Sequence, residues 1–231
     1  MSNSAREGAK ESFLRSNFNR SALVRQLAGW LPVPSDAPRQ DMGERLGGWL
    51  NVDDAIALHS AHQALPAVTT ARRPAARKSV ADVQAELQRV RATLTQAITT
   101  PPQPPTDASD TEFAPHHQRH LDQQRRMEMS VDALRDHLRQ VLAATSPRLA
   151  QLAALDATLD QMFGGREQKL LAGVPAFLKV RFEQLRLSHP DTWPPLFEHD
   201  VQQALLAELD LRLQPVVGMT EALAKANSAP H

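Results

Sequence analysis

The sequence predicts an all-α protein, built as a helical bundle with long coiled-coil-like helices, a disordered N-terminal tail and Pro-rich linkers. The aromatic fraction is only 4% and the chain contains no Tyr, a composition that favours helix interfaces over sheets. In several long segments the apolar residues recur at alternating spacings of three and four, which is the helical and heptad period. No segment alternates convincingly with a period of two, so we predict no strands.

The N-terminal part is predicted to hold a tail and a small helical region. Residues 1–20 are polar and charged and are predicted to be disordered. Residues 21–65 are predicted to form a small helical region with two Trp-containing helices, and Ser21 is a suitable N-cap for the first.

Two similar pentapeptides, LAGWL and LGGWL, place Trp30 and Trp49 nineteen residues apart. The simpler interpretation is that both indoles share one small core. The alternative is that Trp30 and Trp49 are anchors for a partner protein.

A coiled-coil-like helix at 79–99 is predicted between two linkers. Residues 66–78 form a basic linker, and residues 100–112 a Pro-rich acidic linker that can only be extended or polyproline-like. Ser79 and Asp82 stand in a capping-box pattern at the start of the helix. The cations of the basic linker could contact the phosphates of DNA or RNA. We prefer the simpler interpretation, an ordinary solvated segment. The cations are Arg72, Arg73, Arg77 and Lys78.

Residues 113–226 are predicted to form a C-terminal helical bundle. Its first helix runs from Phe113, and the next begins at Ser146, an N-cap followed by a proline. We expect Gly164–Gly165 to end that helix and Pro175 to mark a kink or a restart in the following one. The last long helix is expected to end at Pro215.

The first bundle helix has a seam that is polar at one end and aliphatic at the other. Such a seam indicates a helix partly docked on a neighbour and partly presented to another molecule, so we predict partner binding by His117, His120 and Gln124. The adjacent Arg125 and Arg126 could extend a nucleic-acid surface. The seam positions are Phe113, His117, His120, Gln124, Met127, Val131, Leu134, Leu138 and Val141.

Two pairs of side chains have metal-ligand spacing. His116 and His120 lie four residues apart on one helix face, a spacing that zinc can use, but no supporting carboxylate or Cys accompanies them. Asp156 and Asp160 could likewise hold a divalent ion. For both pairs we prefer a solvated helix face, and we predict no metal site.

Catalytic chemistry and cofactors are not predicted. Ser130 and His137 are two helical turns apart and cannot form a hydrogen-bonded triad with Asp136. No glycine-rich phosphate loop follows a strand. The absence of Cys excludes disulfides and thiolate metal sites. We therefore expect a protein that is not an enzyme and has no cofactor.

Charge and hydropathy favour a cytoplasmic protein. The 26 basic and 26 acidic residues cancel, so nucleic-acid affinity would have to come from local clusters. The basic N-terminus lacks the apolar segment of a signal peptide. No apolar stretch approaches the roughly 20 residues that span a bilayer.

Four sequence phrases resemble an uncharacterised family of β-proteobacterial proteins classed only as a domain of unknown function. They are LGGWL at 46–50, HLDQQRRME at 120–128, SPRLAQLAALD at 146–156 and AELDLRLQP at 207–215. The likeness covers most of the chain beyond the tail and linkers. Its members are found beside a flagellar-stator-like membrane motor, a grouping that resembles the third subtype of Zorya antiphage defence. The resemblance implies a cytosolic accessory component that works with other defence proteins, and it implies no catalytic residues.

These observations lead to three hypotheses. The first is a non-enzymatic cytosolic component of an antiphage defence system that assembles through its helices and contacts DNA through the basic linker. The alternative is a purely structural scaffold or adaptor without nucleic-acid binding. A third is a metal-dependent nuclease subunit that uses Asp156 and Asp160. The heptad helices could pair within the chain, in a homo-oligomer or with a partner.

Overall fold

A computed structural model describes residues 21–30, 51–69, 79–101 and 112–228. Within those ranges every regular element is helical and none is a strand, which confirms the all-α prediction. The coiled-coil geometry of the long helices remains a prediction. The helices are α1 (Ala22–Trp30), α2 (Val52–Ala64, continued by a 3₁₀ turn, Leu65–Ala67), α3 (Val80–Thr99), α4 (Ala114–Thr145), α5 (Pro147–Leu171), α6 (Val174–Ser188) and α7 (Trp193–Ser228).

Local capping signals set the starts of α3 and α5. The Ser79 hydroxyl accepts the Asp82 N–H, and the Asp82 carboxylate accepts the Ser79 N–H, so the predicted capping box is confirmed. At α5 the Ser146 hydroxyl accepts the Leu149 N–H at 3.3 Å, with proline in the first turn. The sequence predicts both helix starts correctly because capping depends only on neighbouring residues.

Helix α5 continues through Gly164 and Gly165 to Leu171, so the predicted stop at the glycine pair is wrong. Neither glycine has the positive φ that a left-handed helix cap requires. The helix continues for two further turns and buries Leu171. A new helix then starts at Val174 with Pro175 in its first turn, which confirms the restart that the proline predicted.

Helix α7 passes through Pro215 and reaches Ser228, so the predicted end at this proline is also wrong. A proline inside a helix costs about 3 kcal/mol because one hydrogen bond is lost. Beyond the proline, Val216, Met219 and Leu223 are buried. Each such side chain contributes roughly 1.5–3 kcal/mol on burial, so together they outweigh the proline.

Helices α4 and α7 form the centre of the bundle, with α3 on both of them and α5 along α4. Gln123 on α4 donates to the Ala97 carbonyl on α3 at 3.2 Å. Further along, His137 lies 3.6 Å from Glu86, so α3 and α4 are antiparallel. These two heptad helices therefore pair with each other within the chain.

The central pair, α4 and α7, is parallel. Arg119 near the start of α4 binds Glu198 near the start of α7, at 2.7 Å. Gln124, five residues further along α4, donates to Glu208, which lies ten residues further along α7. No helix in the described ranges is long and apolar enough to cross a membrane.

Helices α1 and α2 pack on the outside of the same bundle. Helix α1 contacts α6 and α7, and Gln184 on α6 donates to the Trp30 carbonyl at 3.1 Å. Helix α2 lies along α5, joined by the ion pair of Asp54 with Arg166, and buries none of its own residues.

Candidate functional site

The polar end of the α4 seam is buried against α7. His120 is 0% exposed and Gln124 is 8% exposed. This burial corrects the prediction that both side chains are presented to a partner. The reason is Glu208, a fully buried carboxylate that α7 places opposite them.

Glu208 is held by two helices. Gln124 donates to its Oε2 atom at 2.9 Å, and Arg212, one turn further along α7, donates to its Oε1 atom at 2.9 Å. The second amide N–H of Gln124 binds the Leu171 carbonyl at the end of α5, at 3.1 Å. A buried carboxylate is tolerated only when it is paired and hydrogen-bonded, and Glu208 meets both conditions.

His120 is the one side chain of this cluster that has no hydrogen bond. Neither ring nitrogen has a partner, and Nε2 lies 4.0 Å from Glu208 Oε2, beyond hydrogen-bond distance. Burial, with a smaller effect from His117, lowers the pKa of His120 to about 4. The ring is therefore neutral at pH 7, so its contact with Glu208 is not an ion pair. Burial also raises the pKa of Glu208, against the opposing hydrogen bond from Gln124 and charge of Arg212.

A cavity of about 500 Å³ opens beside this cluster, between α4 and the turn from α5 to α6. We call it the α4 groove. Gln124 and Arg212 belong both to its floor and to the buried cluster. These two side chains therefore connect the buried network with the groove. The groove is lined by Gln118, Leu121, Asp122, Gln124, Arg125, Glu128, Gln168, Leu171, Ala172 and Arg212.

The rim of the α4 groove combines paired polar groups with exposed apolar ones. Gln118 donates to Asp122 at 3.0 Å, and Gln168 on α5 donates to Glu128. Leu121, which lines the groove, is 37% exposed. Outside the lining, Met129 is 68% exposed and follows Arg125 by four residues, so it lies on the same helix face one turn beyond the groove. Such a surface can bind another molecule.

His116 and His117 take part in aromatic packing at the same end of α4. The His116 ring lies edge-on to Phe197, with centroids 5.1 Å apart, and also contacts Phe182. His117 stacks on Phe113 at 5.8 Å. Across the described ranges no three His, Cys, Asp or Glu side chains are arranged to hold a metal ion.

Asp156 and Asp160 bind two arginines of α4. Arg135 lies 2.7 Å from Asp156 and 2.6 Å from Asp160, and Arg139 lies 2.7 Å from Asp156. Burial raises the pKa of Asp156, but the arginine hydrogen bonds outweigh it and hold that pKa below 3.8. Both carboxylates lie half-buried in an ion-pair network between α4 and α5, which corrects the expectation of a solvated face.

Comparison with known protein families gives one match. A family model described as "Protein of unknown function (DUF3348)" matches residues 10–225. The chain belongs to the DUF3348 family. The resemblance to a domain of unknown function is confirmed, whereas the family description includes neither a taxon nor a defence system. No curated protein and no solved structure matches the DUF3348 chain.

Of the remaining predicted site residues of this DUF3348 protein, some lie within the described residues and some outside them. Trp30 is 8% exposed and packs inside the chain, so its indole is not available as a partner anchor. Arg125 and Arg126 are exposed on α4, but Arg125 lines the groove together with Asp122 and Glu128, so the charge there is mixed. Trp49 and the basic linker lie outside the described residues. These linker residues are Arg72, Arg73, Arg77 and Lys78.

Sequence reasoning missed Glu208 and Arg212. A signal was present, because Glu208 follows Val201 by seven residues and Leu205 by three, which is a seam position of α7. A polar residue in that seam indicates a polar partner on a facing helix. His120 and Gln124 occupy such positions in the seam of α4.

Proposed function

We propose that this protein is a non-enzymatic assembly component that binds a partner protein through the α4 groove. The proposal rests on one observation, the exposure of Leu121 in a groove whose lining includes the polar residues Gln124 and Arg212. Large apolar side chains surrounded by polar groups are typical of protein-binding surfaces.

A protein segment suits the α4 groove better than a reacting substrate does. The rim offers a carboxylate, a guanidinium and amide groups, which match the peptide groups and mixed side chains of a partner. The carboxylates that could hold a catalytic metal, Asp156 and Asp160, are already bound by Arg135 and Arg139. This arrangement supports a binding role over the nuclease hypothesis.

The defence setting is a further proposal, supported by the sequence resemblance. Two of the resembling phrases include groove or cluster residues, since 120–128 contains Gln124 and 207–215 contains Glu208. In this setting the partner is another defence protein, and the stator-like membrane motor is the first candidate. Cytoplasmic location belongs to the same proposal.

Contact with DNA is the least supported part of the defence hypothesis. The mixed charge around Arg125 favours the alternative of a scaffold or adaptor without nucleic-acid binding, because phosphate contacts need an excess of cations. A mobility-shift assay at low salt separates the two. Binding of duplex or single strands that is lost when the four linker cations are changed to Ala supports the DNA contact.

The assembly proposal is tested by partner capture with matched variants. Leu121→Asp introduces a charge in the groove, and Val180→Asp introduces the same charge on α6 at a position of equal exposure, 37% against 38%. We expect Leu121→Asp to reduce recovery of one specific protein by at least tenfold, and Val180→Asp to leave it unchanged. Equal recovery with both variants, each with wild-type helix content, would contradict the proposal.

A further inference from the structure

Two side chains of the buried cluster, Gln124 and His120, lie near the same acceptor atom, Oε2 of Glu208. Gln124 donates to Glu208 Oε2 at 2.9 Å, while His120 Nε2 lies 4.0 Å from the same atom without a hydrogen bond. A buried imidazole with two unpartnered nitrogens is unfavourable, since buried polar groups normally have partners. It would gain a charge-assisted hydrogen bond if it took up a proton and reached that oxygen.

Gln124 also lines the α4 groove, as Arg212 does. Its amide connects Glu208 with the Leu171 carbonyl in the groove wall. A molecule in the groove that accepts a hydrogen bond from the Gln124 amide N–H therefore competes with Glu208 for that donor.

We propose that Gln124 and His120 compete for Oε2 of Glu208, so that a groove occupant which draws Gln124 away causes His120 to take up one proton. The hydrogen bond from Gln124 to Oε2 breaks, a proton from solvent binds Nε2, and an ion pair forms between His120 and Glu208. The coupling is reciprocal, because any ligand that raises proton affinity binds more tightly when the proton is present. The role of the occupant rests on the proposed function, whereas the competition concerns this chain alone.

Several charged groups surround the pair. Burial disfavours a charge on His120, and His117 on α4 adds to this effect, so the pKa of His120 is lowered to about 4. On α7, Arg212 keeps Glu208 Oε1 occupied, which leaves Oε2 as the shared atom. Glu167 on α5 adds negative charge near Glu208.

From α3, the Arg91 guanidinium is paired with Asp210 of α7 at 3.3 Å. Arg91 is therefore already paired with a carboxylate on α7 other than Glu208.

The competition is tested by NMR titration of the His120 ring in the full-length protein, with helix content followed by circular dichroism. Gln124→Met removes the competing amide at similar volume. Gln123→Met is the matched control, since Gln123 binds the Ala97 carbonyl instead of Glu208. We expect Gln124→Met to raise the His120 midpoint by at least one pH unit, a tenfold gain in proton affinity, and Gln123→Met to leave it in place.

A second variant covers the possibility that Gln124→Met does not fold. Glu208→Gln removes the charge that attracts the proton, and we expect it to abolish His120 titration while the helices persist. Titration of His120 that coincides with unfolding in the wild type, or an unchanged midpoint in Gln124→Met, would overturn the proposal. Neither measurement uses a partner protein. The result of the titration therefore does not depend on whether Leu121→Asp reduces partner capture.

Discussion

Gln124 donates its amide N–H to the Glu208 carboxylate at 2.9 Å, across 84 positions of sequence. The bond joins the two central helices at a level of their interface where buried polar side chains, His120, Gln124 and Glu208, replace apolar ones. Because Gln124 also binds the end of α5, a single side chain joins three helices beneath the α4 groove. Loss of this bond should therefore affect both stability and the shape of the groove.

Glu208→Ala should lower the free energy of unfolding by about 3–5 kcal/mol, the usual cost of removing one partner of a buried ion pair. The reason is that Arg212 and Gln124 would both lose their buried acceptor. Glu221→Ala, on the exposed side of the same helix, should change stability by no more than about 0.5 kcal/mol. Urea denaturation measures both. Equal effects of the two variants would show that Glu208 is not held as described.

Stability should fall between pH 6.5 and about pH 4 because of His120. Its pKa in the folded protein is about 4, below the ordinary value of 6.5, so the unfolded chain takes up the proton first. The stability that a neutral His120 contributes is fully present above pH 6.5 and is lost as the pH falls toward 4. The maximum loss is about 3 kcal/mol.

His120→Leu should flatten this part of the pH profile, measured by urea denaturation at several pH values. Burial raises the pKa of Glu208, which acts in the opposite direction and makes the observed slope smaller than His120 alone would give. An identical slope in the wild type and in His120→Leu would show that His120 does not titrate differently in the folded state.

Gly165→Ala should raise the free energy of unfolding by about 0.5–1 kcal/mol, since alanine is the better helix former. A Cβ at this position meets nothing within 4 Å. Gly173→Ala is the matched control, because its Cβ would lie 3.1 Å from the Leu170 carbonyl and should bring no such gain. Destabilisation by Gly165→Ala, measured by thermal unfolding, would mean that α5 ends at the glycine pair.

Pro215→Ala should stabilise the protein by about 2 kcal/mol, because it restores a backbone hydrogen bond inside α7. Pro195→Ala provides the comparison, since a proline in the first helical turn costs no bond and should yield little. Calorimetric unfolding would distinguish the two. A neutral or destabilising Pro215→Ala would indicate a helix that stops at this residue.

The sequence predicts the parts of this fold that depend on neighbouring residues. The starts of α3 and α5 follow from Ser79 and Ser146, and the seam of α4 follows from its heptad spacing. The glycine pair and Pro215 mislead because local propensity disfavours a helix there, while burial of Leu171 and Leu223 in the bundle overrides it.

The candidate site was only half predictable. His120 and Gln124 were identified as unusual, but their spacing indicated solvent or a partner protein because the facing helix was unknown. Only the parallel alignment of α4 with α7, a long-range feature, brings Glu208 opposite them. Intramolecular burial of a polar seam cannot be distinguished from a binding surface until the register of the two helices is known.

The central claim, that the α4 groove binds a partner protein, is tested most directly by site-specific photocrosslinking in cells. A photoreactive residue replaces Met129, one helical turn beyond the groove residue Arg125, or Leu187 on α6, and both positions are exposed apolar side chains. We predict that position 129 crosslinks to one defined protein, that position 187 does not, and that Leu121→Asp abolishes the product. No crosslink from position 129, or the same products as from position 187, would contradict the account.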